Sequence, residues 1–141
     1  MAEKILVIDD ELDMRVYVST LLETSGYVPL TAEDGEEGLA LAQSERPSLI
    51  ILDILMPKMS GLMLFHGLRK DQEMKDIPVI ILSAISKKSF MHSLKTLTRQ
   101  AGDQFREPSA YIEKPPEPED LLEAIQTTLA KSSESRQGNI V

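Results

Sequence analysis

The stretch LIILDILMPKMSG occupies residues 49–61 and begins with four consecutive branched aliphatic residues. An unbroken apolar run of this length is typical of a strand that is buried on both faces, as in a parallel sheet covered by helices. Asp53 closes the run. The stretch therefore predicts a central strand that carries Asp53 at its carboxyl end.

Similar short apolar runs recur along the chain, with segments of helical spacing between them. They lie at residues 5–8, 27–30, 79–82 and 111–112. Five strands that alternate with five helices favour an α/β fold with a doubly wound parallel sheet and helices on both faces. For five strands, the flavodoxin-like order 2-1-3-4-5 is the leading expectation.

Local signals support several of the predicted helix boundaries. Asp34, followed three residues later by Glu37, resembles a capping box at the start of the second helix. Pro118 suits the first turn of the fifth helix. The segment from residue 131 to 141 is polar and lacks a periodic apolar face, which predicts a disordered tail. The expected organisation is one domain over residues 1–130 and a tail over residues 131–141.

Composition limits the possible functions of the chain. It has 141 residues, no cysteine and a formal net charge of -8, which excludes disulfides and thiolate metal sites. An acidic surface disfavours direct nucleic-acid binding. No apolar run approaches the ~20 residues that span a bilayer, so no membrane contact is expected and the cytoplasm is the default location. His66 and His92 are expected on helix surfaces.

The carboxyl ends of the predicted strands bring chemically active residues to one edge of the sheet, where open α/β sheets place their sites. These residues are Asp9, Asp10, Asp53, Ser83, Glu113 and Lys114. Three clustered carboxylates repel one another unless a cation neutralises them, and Mg²⁺ prefers oxygen ligands. Lysine and serine can hold phosphoryl oxygens, and aspartate is a known nucleophile for phosphoryl transfer. The edge therefore predicts a magnesium-assisted phosphoryl site.

Each of these residues also has an ordinary structural explanation. An Asp-Asp pair is usually a turn or a helix cap, and Asp10 is a candidate N-cap of the first helix. Asp53 at the end of a strand could also be a cap. The joint placement of suitable groups at the ends of four strands favours a functional site, because chance would scatter them over both edges.

The sequence resembles the response-regulator receiver family over residues 3–130. The resemblance rests on ILVIDDE, LIILDILMPKMSGL, PVIILSA and YIEKP. It implies a signalling module, part of a two-component phosphorelay, that accepts a phosphoryl group from a histidine kinase or phosphotransfer protein. Such a module is not an enzyme in the usual sense, although it assists its own phosphorylation and slow dephosphorylation. The expected state is a monomer or a phosphorylation-linked dimer that does not bind nucleic acid directly.

The resemblance also assigns roles at individual positions. Asp53 matches the phosphoryl acceptor. Mg²⁺ would be bound by Asp10 directly, by Asp9 through water, and by Asp53 and the main-chain carbonyl of Leu55.

Further positions match the switching parts of the family. Ser83 and Lys114 match the switch hydroxyl and the lysine, and Tyr111 matches the aromatic residue whose ring moves inward after phosphorylation. Lys114–Pro115 matches a cis peptide, and the pair Met56–Pro57 with Gly61 matches the turn that leaves the site. The output would be a change in the face formed by helix 4, strand 5 and helix 5.

Leu55 and Ile85 are the first departure of this sequence from the family. In the family the side chains at these two positions line the path of the hydrolytic water. Both are apolar here and cannot orient water, which predicts slow self-dephosphorylation.

The stretch between Ser83 and Lys114 is the second departure. It is longer than in the family by roughly nine residues, which corresponds to about two and a half turns of helix. The apolar stripe of the fourth helix runs to Ala101 and favours a helix extended toward Phe105; a longer loop over residues 102–109 is the alternative. The extra length is either a tolerated surface insertion or a determinant of partner specificity.

Three other functions are alternatives to a phosphoryl-accepting receiver. A phosphohydrolase that forms an aspartyl phosphate commonly has a second aspartate two residues after the first, where this chain has Leu55. A flavodoxin needs a hydroxyl- or glycine-rich loop after strand 1, where this chain has Asp9, Asp10 and Glu11. A degenerate receiver would bind partners without phosphorylation. The sequence does not decide the cognate kinase, the output pathway, or whether the chain is free-standing or part of a larger regulator.

Overall fold

A computed structural model gives the fold of the protein and describes residues 2–56 and 59–138. The elements are β1 (Lys4–Ile8), α1 (Leu12–Thr24), β2 (Val28–Ala32), α2 (Gly35–Glu45), β3 (Leu49–Leu52), α3 (Gly61–Lys70), β4 (Val79–Ser83), α4 (Lys87–Ala101), β5 (Ala110–Glu113) and α5 (Pro118–Gly138). The predicted alternation of strands and helices is confirmed.

The five strands form one parallel sheet in the order β2-β1-β3-β4-β5, so the predicted topology is confirmed. Strands β3 and β4 are buried along their whole length and β1 along all but its first residue. Strands β2 and β5 are the edges and are only partly buried. Pro29 lies in β2, where an edge strand tolerates the missing N–H.

The apolar core has two parts because successive strand residues point to opposite faces of the sheet. One part contains Leu6, Ile8, Ile50 and Leu52, with Ala42 of α2, Phe65 of α3 and Phe90 of α4. The other contains Ile5, Val7, Leu49 and Ile51, with Leu22 of α1 and Leu121 of α5. Helices therefore cover both faces of the sheet, as predicted.

Two helix starts follow the sequence signals and one does not. The Asp34 side chain accepts the Glu37 N–H at 2.8 Å, and α5 begins at Pro118, as predicted. The N-cap of α1 is Glu11, without a side-chain cap. Asp10 is therefore not the cap of α1. The Glu11 N–H instead donates to Asp9 Oδ1 at 2.9 Å.

Helix α4 ends at Ala101, so the expected extension toward Phe105 is wrong. Gly102 adopts the left-handed region (φ 71°), and its N–H and that of Asp103 donate to the carbonyls of Arg99 and Thr98. A left-handed residue with these two hydrogen bonds stops a helix. Residues 102–109 form the connection to β5, in which Phe105 folds back and packs against the core on the side of α4.

The chain after residue 130 differs from the predicted disordered tail, because α5 continues through Gly138. Residues 131–137 contain no proline and little that opposes a helix, and an existing helix propagates more easily than a new one begins. Residues 139–141 lie outside the described part of the chain.

Candidate phosphoryl and metal site

The ends of β1 and β3 place three carboxylates together. Ile8 pairs with Leu52 across the two strands, and an aspartate follows each of them. The Asp53 N–H donates to the Ile8 carbonyl at 2.9 Å. One carboxylate oxygen from each of Asp9, Asp10 and Asp53 lies within 4.8 Å of the other two. Asp9 and Asp53 are buried, at 2% and 3% exposure, whereas Asp10 is exposed.

Gly61 explains how the chain can leave this edge so closely. A Cβ at Gly61 would lie 2.2 Å from the Asp53 carbonyl oxygen and 2.6 Å from the Ile54 Cα. The Gly61 N–H donates to the Ile54 carbonyl at 3.0 Å. The start of α3 therefore packs directly against the main chain of the proposed acceptor, and any side chain at Gly61 would push the two apart.

Lys114 directly follows the edge strand β5, and its side chain contacts the acidic group. Its Nζ lies 2.9 Å from Asp9 Oδ2, 3.3 Å from Asp53 Oδ2 and 2.5 Å from Glu11 Oε1. The Lys114 N–H donates to the Ser83 carbonyl at 2.9 Å, which sets the end of β5 beside that of β4. The Lys114–Pro115 peptide is cis, as expected.

The charges of this group shift the pKa of two of its members. Burial favours neutral Lys114, but Glu11, Asp9 and Asp53 outweigh burial and raise the pKa of Lys114 above its ordinary value. Burial raises the pKa of Asp9, and it outweighs the Glu11 N–H and Lys114, which favour the carboxylate. The lysine is therefore firmly charged, whereas burial makes the charged form of Asp9 less favourable than it is in water.

Sequence reasoning missed two residues of the site. Glu11 bonds Lys114 across 103 positions of the chain. Arg15, one turn into α1, donates from Nη1 to the main-chain carbonyl of Asp9 at 2.8 Å. The only available signal for Glu11 was its position after two aspartates, and no local pattern pairs it with a distant lysine.

The donor set fits magnesium, as the sequence predicts. Three carboxylates within reach of one ion supply the oxygen ligands that Mg²⁺ prefers. A second acidic trio, Glu33, Asp34 and Glu37, lies at the start of α2. Asp34 in that trio caps the helix, which explains its position without a metal.

Ser83 and Tyr111 are linked through Ile85. Ser83 is fully buried at the end of β4, and its Oγ accepts the Ile85 N–H at 3.3 Å. The Tyr111 hydroxyl donates to the Ile85 carbonyl at 2.6 Å. The main-chain N–H and C=O of Ile85 are therefore each bonded to a hydroxyl with a predicted switching role, that of Ser83 and that of Tyr111.

The Tyr111 ring is partly buried and contacts Phe90 of α4, with ring centroids 5.3 Å apart. Burial, followed by the negative charge of Glu113, raises the pKa of Tyr111 to about 12, although a hydrogen bond with Ser83 opposes the shift. The hydroxyl consequently stays protonated at neutral pH and can donate to Ile85.

Leu55 follows the site with 55% of the residue exposed, and the Leu55 N–H donates to Asp53 Oδ1 at 3.2 Å. Ile85 is partly buried and packs against the core. Pro57 and Lys58, which belong to the predicted turn after the site, lie outside the described residues, whereas Met56 and Gly61 are described.

We expected His66 on the surface of its helix, but its side chain is mostly buried. Its side chain is 12% exposed, and its Nε2 lies 2.9 Å from Asp103 Oδ2. Lys70 Nζ reaches the same oxygen at 3.3 Å. These contacts attach the connection after α4 to helix α3. His92 is exposed, as expected.

The described helices, within residues 2–56 and 59–138, include none that is long and apolar enough to cross a membrane. The sequence profile of the family described as "Response regulator receiver domain" matches residues 5–126. That match lies inside the predicted domain of residues 1–130 but does not test where the domain ends.

Curated relatives give the same picture. The "Probable transcriptional regulator ycf27" of Porphyridium aerugineum is 37% identical over 97% of this chain, which spans 52% of that relative. The "Polar-differentiation response regulator DivK" of Brucella anthropi is 35% identical, with 92% of this chain and 98% of the relative covered. The chain thus spans about half the length of the ycf27 relative and nearly all of DivK.

Solved structures resemble the fold as a whole. The chemotaxis protein CheY4 of Vibrio cholerae matches with a TM-score of 0.73 at 32% identity, covering 91% of this chain and 99% of CheY4. A CheY-like receiver domain protein of Methanospirillum hungatei matches with a TM-score of 0.78 at 27% identity, covering 96% and 99%.

Proposed function

The chain belongs to the response regulator receiver domain family of two-component systems, and from this we propose that it accepts a phosphoryl group on Asp53. The observation that carries the proposal is the contact of buried Asp53 with Lys114 beside two further carboxylates. We propose a histidine kinase or a phosphotransfer protein as the donor.

The chemistry follows from the positions of these residues. A carboxylate oxygen of Asp53 forms a bond to phosphorus while the bond between phosphorus and the nitrogen of the donor's phosphohistidine breaks. Lys114, already 3.3 Å from Asp53 Oδ2, supplies a positive charge to the new phosphoryl oxygens. Its hold on Asp9 and Glu11 keeps the ammonium at the site before the donor arrives. Positioning and charge neutralisation are the main requirements of phosphoryl transfer.

We propose that Asp10, Asp9 through water, Asp53 and the Leu55 carbonyl hold Mg²⁺ at this edge. When bound, the ion supplies positive charge that offsets the repulsion between the carboxylates and the incoming phosphoryl oxygens.

The output proposed here depends on Ser83, Ile85 and Tyr111. When Ser83 Oγ turns to donate to a phosphoryl oxygen on Asp53, the Ile85 N–H loses its acceptor. The main chain at Ile85 is then free to move. Its carbonyl accepts the hydrogen bond of the Tyr111 hydroxyl at 2.6 Å, so Tyr111 moves with it. Because the Tyr111 ring packs against Phe90, its movement shifts the face formed by α4, β5 and α5. Phosphorylation thus biases two arrangements of that face.

Several further properties belong to the proposal. The module assists its own phosphorylation and its slow hydrolysis without acting on a diffusing substrate. It works in the cytoplasm as a monomer or a phosphorylation-linked dimer, and it does not bind nucleic acid or membrane directly. The receiver domain covers residues 1–130.

Phosphotransfer tests the central claim. The protein is incubated with magnesium and phosphorylated histidine kinases of its source organism, and the modified residue is identified by mass spectrometry. We expect one phosphoryl group on Asp53 and none on the Asp53→Asn variant. Asp76→Asn, an exposed aspartate away from the site, is the matched control and should be phosphorylated like the wild type.

Beryllofluoride provides a test without a kinase. With magnesium, the wild type should bind it at Asp53, which ¹⁹F NMR would detect as protein-bound fluoride. A protein that binds no beryllofluoride and takes up no phosphoryl group would contradict the proposal and favour a receiver that works unphosphorylated.

A further inference from the structure

Helix α4 carries a stripe of basic residues, called the cationic stripe here: the cations Lys88, Lys95 and Arg99, with His92 on the same side between them. Their spacing of four, three and four residues puts them on one side of the helix, and all four are exposed. Eleven residues separate the ends, which corresponds to about 16 Å along the helix axis. The stripe is long enough to contact three turns of a partner helix.

The positive charges of the stripe are not balanced within the helix. The sequence of α4, KKSFMHSLKTLTRQA, contains no aspartate or glutamate. Within the described residues no carboxylate forms an ion pair with Lys88, Lys95 or Arg99. Lys95 Nζ lies over the Phe105 ring, 5.6 Å from its centroid. Like charges three or four positions apart slightly destabilise a helix, so the stripe carries a cost that folding alone does not explain.

Cations outside α4 form a mixed set. Five of them are paired: Lys4 with Glu45, Arg15 with Glu33, Arg46 with Glu73, Lys70 with Asp103, and Lys114 with three carboxylates. In the part of the chain that the structure describes, Arg69, Lys75, Arg106 and Lys131 form no ion pair. Helix α4 differs because it gathers several unpaired cations on one side and contains no carboxylate, and it lies in the proposed output face.

Charge along the whole chain is separated in the same way. Residues 61–109 contain eight basic and five acidic side chains, whereas the rest of the chain contains seven basic and eighteen acidic ones. Four of these basic side chains and none of the acidic ones belong to α4. A protein with a net charge of -8 therefore carries a local excess of positive charge on this helix, which attracts a partner of opposite charge.

We propose that the cationic stripe of α4 docks an acidic segment of a partner protein, with carboxylates spread over about 16 Å. This rests on the proposed function and names the partner class for its output face. A short segment fits better than nucleic acid, because a duplex carries a charge every ~1.7 Å and would continue past the stripe onto acidic surface.

The test uses a fluorescent helical peptide of alanine and glutamate with four glutamates spaced four, three and four residues apart. Its binding is measured by fluorescence anisotropy at low salt, beside the same peptide with glutamines. We expect the glutamate peptide alone to bind. The variant Lys88→Gln/Lys95→Gln/Arg99→Gln should bind it about tenfold more weakly, because three exposed ion pairs contribute about twofold each.

A variant with the same charge change elsewhere separates place from net charge. Lys4→Gln/Lys75→Gln/Lys131→Gln should retain binding within about twofold, since none of these three residues lies on α4. Equal weakening in both triple variants would overturn the proposal, as would no binding by the wild type. Tighter binding of a short DNA duplex, or self-association through α4 in sedimentation experiments, would overturn it too.

Beryllofluoride binding at Asp53, measured on the same proteins, distinguishes the two claims. The stripe variant should still bind beryllofluoride, because none of its substitutions contacts the site. If Asp53 bound no beryllofluoride while the stripe variant lost the peptide, the docking surface would stand and the phosphoryl function would fall. Normal uptake at Asp53 without any peptide binding would remove only the docking surface.

Discussion

At the scale of single residues, Lys114 decides the electrostatics of the site. Its ammonium contacts carboxylates from β1, from the residue before α1, and from β3. Two of those carboxylates are almost completely buried, and buried charges are tolerated when they are paired. Lys114 therefore stabilises the acidic site when no metal is bound. Replacing Lys114 by a neutral residue would leave the buried carboxylates of Asp9 and Asp53 without a compensating charge.

Gly61 is the residue whose substitution should reveal how tightly the site is packed. Gly61→Ala places a Cβ against the main chain of Asp53 and Ile54. We expect the free energy of unfolding to fall by about 1–3 kcal/mol and beryllofluoride binding to weaken, as measured by urea denaturation and ¹⁹F NMR.

Gly67 offers the matched control on the same helix. A Cβ there meets nothing within 4 Å, so Gly67→Ala should raise the free energy of unfolding by about 0.5–1 kcal/mol through helix propensity. Equal effects of the two substitutions would show that the contact with Asp53 does not matter.

Leu55 and Ile85 should set the lifetime of the phosphorylated state. Replacing both by asparagine introduces side chains that can orient a water, and we expect loss of phosphate to accelerate about tenfold or more. The half-life of the phosphoprotein, followed by radiolabel, is the measurement. Met63, another exposed apolar residue at 51% exposure, gives the control Met63→Asn. An unchanged half-life in the double variant would refute the role of both residues.

At the scale of elements, the connection from α4 to β5 is attached to a neighbouring helix. Its residues 102–109 follow a glycine stop, and Asp103 attaches them to α3 through His66 and Lys70. The segment between Ser83 and Lys114 thus contains a helix of fifteen residues and an anchored loop. The anchor holds the end of α4, and hence the end of the cationic stripe, at a defined place.

Asp103→Asn should loosen this connection. Desolvation of the Asp103 carboxyl opposes its charge, but Lys70 and His66 outweigh the desolvation and lower the pKa of Asp103 from 3.8. Because the folded pKa is the lower one, the stabilisation is complete above pH 3.8 and is lost as the pH falls through the lowered pKa.

Amide hydrogen exchange is the measurement for that change. At pH 7 the amides of residues 102–109 should exchange several-fold faster in Asp103→Asn than in the wild type. The difference should shrink below pH 3.8. Glu107→Gln removes the same charge from the same loop at an exposed position and should exchange like the wild type. A matching increase in that control would mean that net charge, and not the His66 contact, holds the loop.

At the scale of the whole molecule, the order of the strands brings the site residues together, and the distribution of charge determines how cation binding changes stability. The order β2-β1-β3-β4-β5 brings β1 and β3 together at the centre, so that residues 44 positions apart in sequence, Asp9 and Asp53, share one edge. Most of the acidic excess lies outside residues 61–109. Cation binding at the acidic edge should therefore stabilise the molecule as a whole.

Magnesium should raise the melting temperature. A free concentration ten times the Kd adds about 1.4 kcal/mol to the stability of the folded state, relative to sodium chloride of equal ionic strength with EDTA. Asp10→Asn should abolish most of that gain. Glu33→Gln, in the second acidic trio, should keep it. A gain lost in Glu33→Gln and kept in Asp10→Asn would place the ion at α2 instead.

Local sequence patterns determined most of the fold. Four-residue aliphatic runs, the capping pair at Asp34 and Glu37, and Pro118 predict elements correctly because strand burial and helix caps depend on residues within one turn of each other. The rule that parallel strands end at one edge then grouped Asp9, Asp10 and Asp53 without any tertiary information.

Contacts between distant segments were decided only by the tertiary structure. The pairing of Glu11 with Lys114 and that of His66 with Asp103 join residues 103 and 37 positions apart. The close approach of Gly61 to Asp53 depends on how α3 docks on the sheet. Periodicity and capping describe a residue's own neighbourhood, whereas these contacts follow from packing and charge across the whole core. The sequence therefore predicted which carboxylates meet at the edge of the sheet but not the partners that hold them in place.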